Sequence, residues 1–188
     1  MTNFCFARAG SMSGRPPRQE GFTLIDIMFV VLLLGLLMAV TVPGATIASR
    51  RYHLIAATRE VAAQVRVARL KAVTSNRTMR VRFNCPAPGL YRVVEVVNNA
   101  AIDDAADRCS STTYPYPDPN PAAQPDLDGP VMVLRGGITF GGVQDLEIAP
   151  TGRVTALTGA VPATIGVTDS YGETQNVIVS ATGRIQVP

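Results

Sequence analysis

From Phe22 to Val42 the chain is apolar at every position except Thr23, Thr41 and one carboxylate, Asp26. At about 1.5 Å of rise per residue this run makes a helix of about 31 Å, which matches the hydrocarbon core of a bilayer. A helix apolar on all sides must be surrounded by lipid or protein, so the segment reads as a transmembrane helix over 22–42. It is too long for the h-region of a secretory signal, which runs to about 7–15 residues, and no small-residue cleavage site follows it. The polar stretch before it carries Arg8, Arg15 and Arg18 and ends abruptly at Gly21-Phe22. The boundary therefore lies before the apolar segment, leaving a chain that begins with its membrane helix. If the arginines stay inside, everything beyond Val42 lies outside the membrane that the helix crosses.

An ionisable group within such a span is costly and needs a partner. Asp26 has two readings. Either it sits near the interface and supports the helix N-terminus electrostatically, or it pairs with the free amine that cleavage would create at Phe22 of a neighbouring copy. Position alone favours neither.

Beyond Pro43-Gly44 the pattern stays helical but becomes amphipathic over 43–75. Leu54, Val61, Val65, Ala68 and Ala72 fall on one stripe, and Arg50, Arg51, Arg59, Arg66, Arg69 and Lys71 lie elsewhere. One helix is expected over about Phe22–Thr74, with a break at Pro43, bent or loosened near Gly44 because proline lacks an amide proton. Residues 76–188 then read as a β domain. Thr78–Phe83 alternates, and Leu90–Val97 is its expected antiparallel partner. Short strands return at Val131–Leu134, Ile138–Phe140, Leu146–Ile148, Val154–Leu157, Ala163–Thr168, Asn176–Ser180 and Arg184–Val187. The segment 98–130 is rich in Asp, Pro, Ala, Ser and Asn, its prolines from Pro115 bar helix or central strand there, and it reads as a long surface loop, tied down near its start if Cys109 meets Cys85. Two turns repeat a motif, Pro150-Thr-Gly-Arg153 and Ala181-Thr-Gly-Arg184, each with Gly where a positive φ is wanted. The fold class is α+β: a long N-terminal helix packed on an antiparallel β region.

Of 17 basic and 14 acidic side chains, three arginines and Glu20 precede Phe22. The remainder is close to neutral, so a pI near 9.0 is partly a property of the leader. Cys5 falls in the leader as well, leaving Cys85 and Cys109. In an oxidising compartment a disulfide between them is the default, and a loop of about 25 residues is worth about 3 kcal/mol. The alternative is two buried thiols. Ten cations lie between Arg50 and Arg92 against one acid, Glu60. They could contact phosphate or form a solvated face drawn to lipid headgroups or acidic neighbours, for which the acids of the loop offer a complement. His53 stands alone beside two arginines and reads as a surface residue. Asp118, Asn120, Asp126 and Asp128 are oxygen ligands in number, but their spacing does not follow a calcium loop. No catalytic triad, zinc spacing or phosphate loop is present, so an enzyme is not expected and neither cofactor nor metal is called for.

The run Gly21-Phe22-Thr23-Leu24-Ile25-Asp26, followed by an unbroken apolar helix with Gly35 and then Pro43, resembles the prepilin signature of type IV pilins and type II secretion pseudopilins. That resemblance implies a leader peptide over 1–21, cleavage between Gly21 and Phe22 by a prepilin peptidase, and N-methylation of Phe22 by the same enzyme. It also implies filament docking through Asp26, where the family usually has glutamate. The second half resembles the GspH/FimT-type minor pseudopilins, on Val65-Arg-Val-Ala-Arg69, Ala149-Pro-Thr-Gly-Arg153 and Val179-Ser-Ala-Thr-Gly-Arg184. It implies a single-pass inner-membrane protein with a periplasmic C-terminal domain. The partners are the peptidase and other pilin or pseudopilin subunits, in a type II secretion pseudopilus or a type IV pilus. Some members bind DNA through a terminal hairpin bearing Gly-Arg-X-Arg. Here the run is Gly183-Arg184-Ile185-Gln186, with one arginine, so nucleic-acid binding through Arg153 and Arg184 is the alternative reading and not the favoured one.

Overall fold

The computed structural model describes residues 21–120, 122 and 124–188. The leader expected over 1–21 lies, apart from Gly21, outside the described residues. The chain divides into two compact units between Ala45 and Thr46.

Helix α1 covers Leu24–Ser75, 52 residues, and is long and apolar enough to cross a membrane. In the first unit its large apolar side chains from Leu24 to Val42 are exposed wherever they are described, as befits a surface whose solvent is not water. The helix runs through Pro43 and Gly44 without interruption, so the break expected at Pro43 does not divide it. One proline removes a single amide donor, and the turns on either side keep their own hydrogen bonds.

In the second unit α1 turns amphipathic and buries one stripe. Leu54, Val61, Val65, Ala68 and Ala72 are at most 2% exposed, and they join Met79, Val81, Tyr91, Leu146, Ile148, Ile165, Val177 and Val179 in one core. That core is shared by two antiparallel sheets. The first contains β1 (Met79–Phe83), β2 (Leu90–Glu95), β3 (Val131–Val133), β5 (Leu146–Ile148) and β6 (Val154–Ala156), in the order β3-β2-β1-β5-β6. The second contains β4 (Thr139–Gly141), β7 (Ala163–Thr168), β8 (Thr174–Val179) and β9 (Ile185–Gln186), in the order β4-β7-β8-β9. The α+β class read from the sequence is the observed one, and β1 pairs with β2 in antiparallel register from Met79↔Glu95 to Phe83↔Tyr91.

Register decides what each face of the first sheet meets. Met79, Val81 and Phe83 share a face with Tyr91 and Val93, turned to the core. Arg80 stands opposite Val94, and Arg82 stands opposite Arg92, on the other face. That face is not solvated: Arg80, Arg92 and Val94 are all buried.

The cover is the segment 98–130, much of which lies at the surface while a few of its side chains are sunk against the sheet. It opens with a short helix, α2 (Ala100–Asp103), capped by the Asn99 side chain, which accepts from the Ala101 amide. Asp103, Arg108, Cys109 and Asp128 within the segment are buried. Cys109 is bonded to Cys85, with Cα atoms 5.6 Å apart. The prolines bar a long helix or a central strand, yet they do not bar packing. The backbone groups that lack ladder partners are taken up by side chains from the sheet beneath.

Candidate functional site

Three places carry candidate function, and the first is the start of α1. Gly21, Phe22 and Thr23 precede the helix in non-helical conformation, and Phe22 is 88% exposed. Thr23 donates its amide to Asp26 Oδ2 at 3.1 Å and its hydroxyl to the same oxygen at 2.6 Å. The Asp26 amide in return reaches Thr23 Oγ1 at 3.4 Å. This is a reciprocal cap at spacing i, i+3, which satisfies donors that have no partner inside the helix. An aspartate reaches that near neighbour without the extra methylene of a glutamate. Asp26 also lines a hollow with Phe22, Ile27, Val30 and Val31, and no hydrogen bond to its Oδ1 is seen among the described residues.

The second place is the covering segment. Arg92 rises from β2 and spreads its guanidinium over three carbonyls of the segment. Nε donates to Gly129 O at 2.8 Å, Nη1 to Ser110 O at 3.1 Å and Nη2 to Tyr114 O at 2.7 Å. Arg108 reaches down from the segment in turn. It forms a two-pronged pair with Asp128, donates to Glu95 O at 2.9 Å, and lies 4.4 Å from the centre of the Tyr114 ring. Asp128 also accepts from the Glu95 amide at 2.9 Å. Glu95, buried at the end of β2, takes Arg77 at 2.8 Å and the amides of Asp126 and Leu127 at 3.0 and 3.1 Å. Arg77 is also bonded to Asp126. Partial burial works against the Asp126 carboxylate, but Arg77 holds it below the usual carboxylate range. Burial pushes Lys71 down, opposed by the nearby charges of Asp128, Glu95 and Asp126. Arg80 adds Asp104 and Glu147, and Arg82 adds Asp145.

These contacts change the reading of the basic cluster. Of its ten cations, Arg51, Arg69, Arg77, Arg80, Arg82 and Arg92 face the chain's own carboxylates or carbonyls. Of the loop's acids, Asp104, Asp126 and Asp128 meet arginines of this chain. Asp126 and Asp128 each face an arginine, and Asp118 accepts from the Asn120 amide at 2.8 Å, so these oxygens do not converge on a cation site. Sequence reasoning missed Arg108, Asp128 and Glu95 as a unit. A signal was available: Arg82 and Arg92 as direct cross-strand partners repel each other unless something anionic or carbonyl-rich covers them.

The third place is the pair of Thr-Gly-Arg turns. They are in contact: the Val154 amide donates to Ala181 O at 3.0 Å, and Arg69 on α1 donates Nε to Gly152 O at 3.1 Å. Gly152 and Gly183 both have φ +77, and a Cβ on Gly183 would stand 2.5 Å from Arg69 Nε and 2.7 Å from Gly152 O. The repeated motif thus joins the two sheets, with Arg69 as the bolt. Gly183→Ala is expected to destabilise the unit by about 2–4 kcal/mol, since left-handed strain adds to a clash with backbone. Gly136→Ala, at φ +78 with nothing within 4 Å, should cost only the strain, about 1–2 kcal/mol. Urea denaturation of both variants checks the contrast; equal losses would mean that the turn contact is not a constraint. Arg153 and Arg184 follow the two glycines, are exposed, and form no ion pair among the described residues. With its amide oxygen turned toward the guanidinium, Gln186 accepts from Arg184 at 3.1 Å. His53 is exposed, its ring set edge-on to Tyr52.

Comparison with known proteins adds a family. The model of the family described as type II transport protein GspH matches residues 57–183. Among solved structures, the chain is similar to the type IV minor pilin FimU of Pseudomonas aeruginosa. That similarity has 18% identity and a TM-score of 0.48, covering 74% of this chain and 91% of that one. No curated protein matches.

Proposed function

Because this chain belongs to the GspH family of type II transport proteins, we propose that it is a minor pseudopilin or minor pilin. It is a structural subunit with one membrane span, built into a filament through its N-terminal helix. A prepilin peptidase removes the leader between Gly21 and Phe22 and methylates Phe22. The span then waits in the inner membrane, with the β domain in the periplasm, until it docks beside other subunits. Asp26 neutralises an N-terminal amine in that step.

The observation that carries this reading is the split use of the Asp26 carboxylate. One oxygen holds the cap made with Thr23, the other takes no bond among the described residues, and the residue borders a hollow beside Phe22. A carboxylate in a span keeps such an unshared oxygen only at a cost, which an incoming ammonium would offset. The mature protein is expected to begin at N-methylated Phe22. Intact mass and N-terminal sequencing of membrane-extracted protein decide it, and a chain still beginning at Met1 would sink the reading.

A second reading, DNA capture, rests on Arg153 and Arg184, exposed after turns that touch. A gel shift on residues 46–188 across a salt series tests it. With four of the cluster's arginines facing inward, a short duplex is expected to show no shift at low salt. A shift that weakens steeply as salt rises would restore DNA as a partner.

A further inference from the structure

Within the second unit, α1 carries another stripe opposite the one it buries. Ala56, Arg59, Ala63, Arg66, Leu70 and Val73 recur at spacings of 3, 4, 3, 4 and 3. That alternation keeps side chains on one face of a helix over about five turns. All six are exposed, Leu70 at 64% and Val73 at 48%. Toward the end of the helix, Arg66, Arg69, Leu70 and Val73 meet Gly183 and line an open cleft of about 310 Å³.

The positive charge on this face is unmatched. Arg59 and Arg66 form no ion pair among the described residues, and neither do Arg153 and Arg184, which follow the two glycine turns beside the cleft. Arg69 gives Nε to a carbonyl, Gly152 O, and meets no carboxylate. The one acid of α1 in this unit, Glu60, is turned toward Tyr91, whose phenol it holds in the neutral form together with burial. The arginines of the first sheet find acids inside the chain, whereas these five find none. An aliphatic face set among unmatched guanidinium groups is complementary to an aliphatic face set among carboxylates.

We propose that this face seats an acidic amphipathic helix of a different protein chain. An apolar side chain of that helix enters the cleft beside Gly183, and its carboxylates meet Arg59, Arg66 and the arginines of the two turns. The occupant is a helix because the alternating spacing is that of a seam between two helices. It is acidic because every charge on the face is positive, and for the same reason two copies of the face repel each other. Nucleic acid fits less well, since aliphatic side chains stand between the arginines where base-stacking rings would be needed. The proposal rests on the subunit reading for the source of the helix, and adds the charge which that neighbour must carry.

The chain has no tryptophan, so Val67→Trp, at an exposed position beside the stripe, supplies a single reporter. The probe is a synthetic helical peptide of about three heptads, with a leucine seam flanked by glutamates and a nitroxide that quenches nearby tryptophan. Its twin has lysine for every glutamate. The full chain, in zwitterionic detergent, is expected to be quenched by the glutamate peptide at about tenfold lower concentration than by the twin, the gap closing as salt rises to about 0.5 M. Arg66→Glu removes no contact made within the chain and should weaken the glutamate peptide by about tenfold while favouring the twin. Arg135→Glu makes the same charge change at an exposed turn away from the stripe and should leave both peptides unchanged. Equal quenching by the two peptides, or equal losses in Arg66→Glu and Arg135→Glu, overturns the docking face. Tighter binding of a short DNA duplex than of the glutamate peptide, lost in Arg66→Glu, assigns the face to nucleic acid and overturns the helix. A chain that begins at Phe22 yet shows no charge preference loses this proposal alone. A mature chain beginning at Met1 sinks the subunit reading, and the proposal loses its source of helices with it.

Discussion

Arg108→Met is expected to lower the unfolding free energy of the Thr46–Pro188 unit by about 3–5 kcal/mol, among the largest effects of any single side chain outside the core. The reason lies in what is left behind. Arg108 is fully buried and Asp128 only 7% exposed, so removing the guanidinium strands a carboxylate in a poorly solvated site. Arg92, at 3.9 Å from Asp128, screens part of that charge and puts the loss toward the lower end. Glu95 O also loses the donor that reached it at 2.9 Å. Asp128→Asn in the Arg108→Met background removes the stranded charge while keeping an acceptor for the Glu95 amide, and it should recover more than half of the loss. Urea unfolding of the four proteins completes the cycle. A loss under about 1 kcal/mol for Arg108→Met would mean that the pair behaves as a surface ion pair, and the segment 98–130 would then be held by little more than its disulfide.

Asp26→Ala is expected to leave leader cleavage intact and reduce incorporation into filaments by about tenfold or more, since an unpaired amine in a span is costly. The alanine variant alone is ambiguous, because it also deletes the cap with Thr23. Asp26→Asn separates the two roles. Its amide oxygen can still accept from Thr23, so the helix start survives, but the negative charge is gone. Both variants should be processed, and both should accumulate in the membrane instead of the sheared filament fraction. Wild-type incorporation of Asp26→Asn would show that capping, and not charge, is what the residue supplies.

Both predictions concern carboxylates, and they differ in how visible they were. Asp26 stands out in the sequence because a single acid interrupts an apolar run. Asp128 does not, since it is one acid among several in a proline-rich stretch. The stripe of Leu54, Val61, Val65, Ala68 and Ala72 was equally visible: helical periodicity is local, and the buried face follows from it directly. The alternation of β1 and β2 was as plain, and the two pair in the antiparallel sense it suggested. What alternation could not say was that the polar face of these strands would be covered. In the sequence Arg80, Arg82 and Arg92 stay open to phosphate contact or to solvation, because strand patterning distinguishes two faces without telling which neighbours each face meets.

The same limit applies to the turns. A glycine followed by arginine announced a positive φ at Gly152 and Gly183, and both have it. That the two turns would meet, with Arg69 donating to Gly152 O, depends on contacts 83 residues apart in sequence. The linear chain settled the apolar helix, its amphipathic continuation and the antiparallel β region, because hydrophobic burial and backbone pairing leave periodic marks a few residues wide. Tertiary structure alone decided which charges are neutralised internally, and so which remain for a partner. Coulomb and hydrogen-bond partners are chosen by distance in space, and a segment such as 98–130 has no period to betray where it will lie.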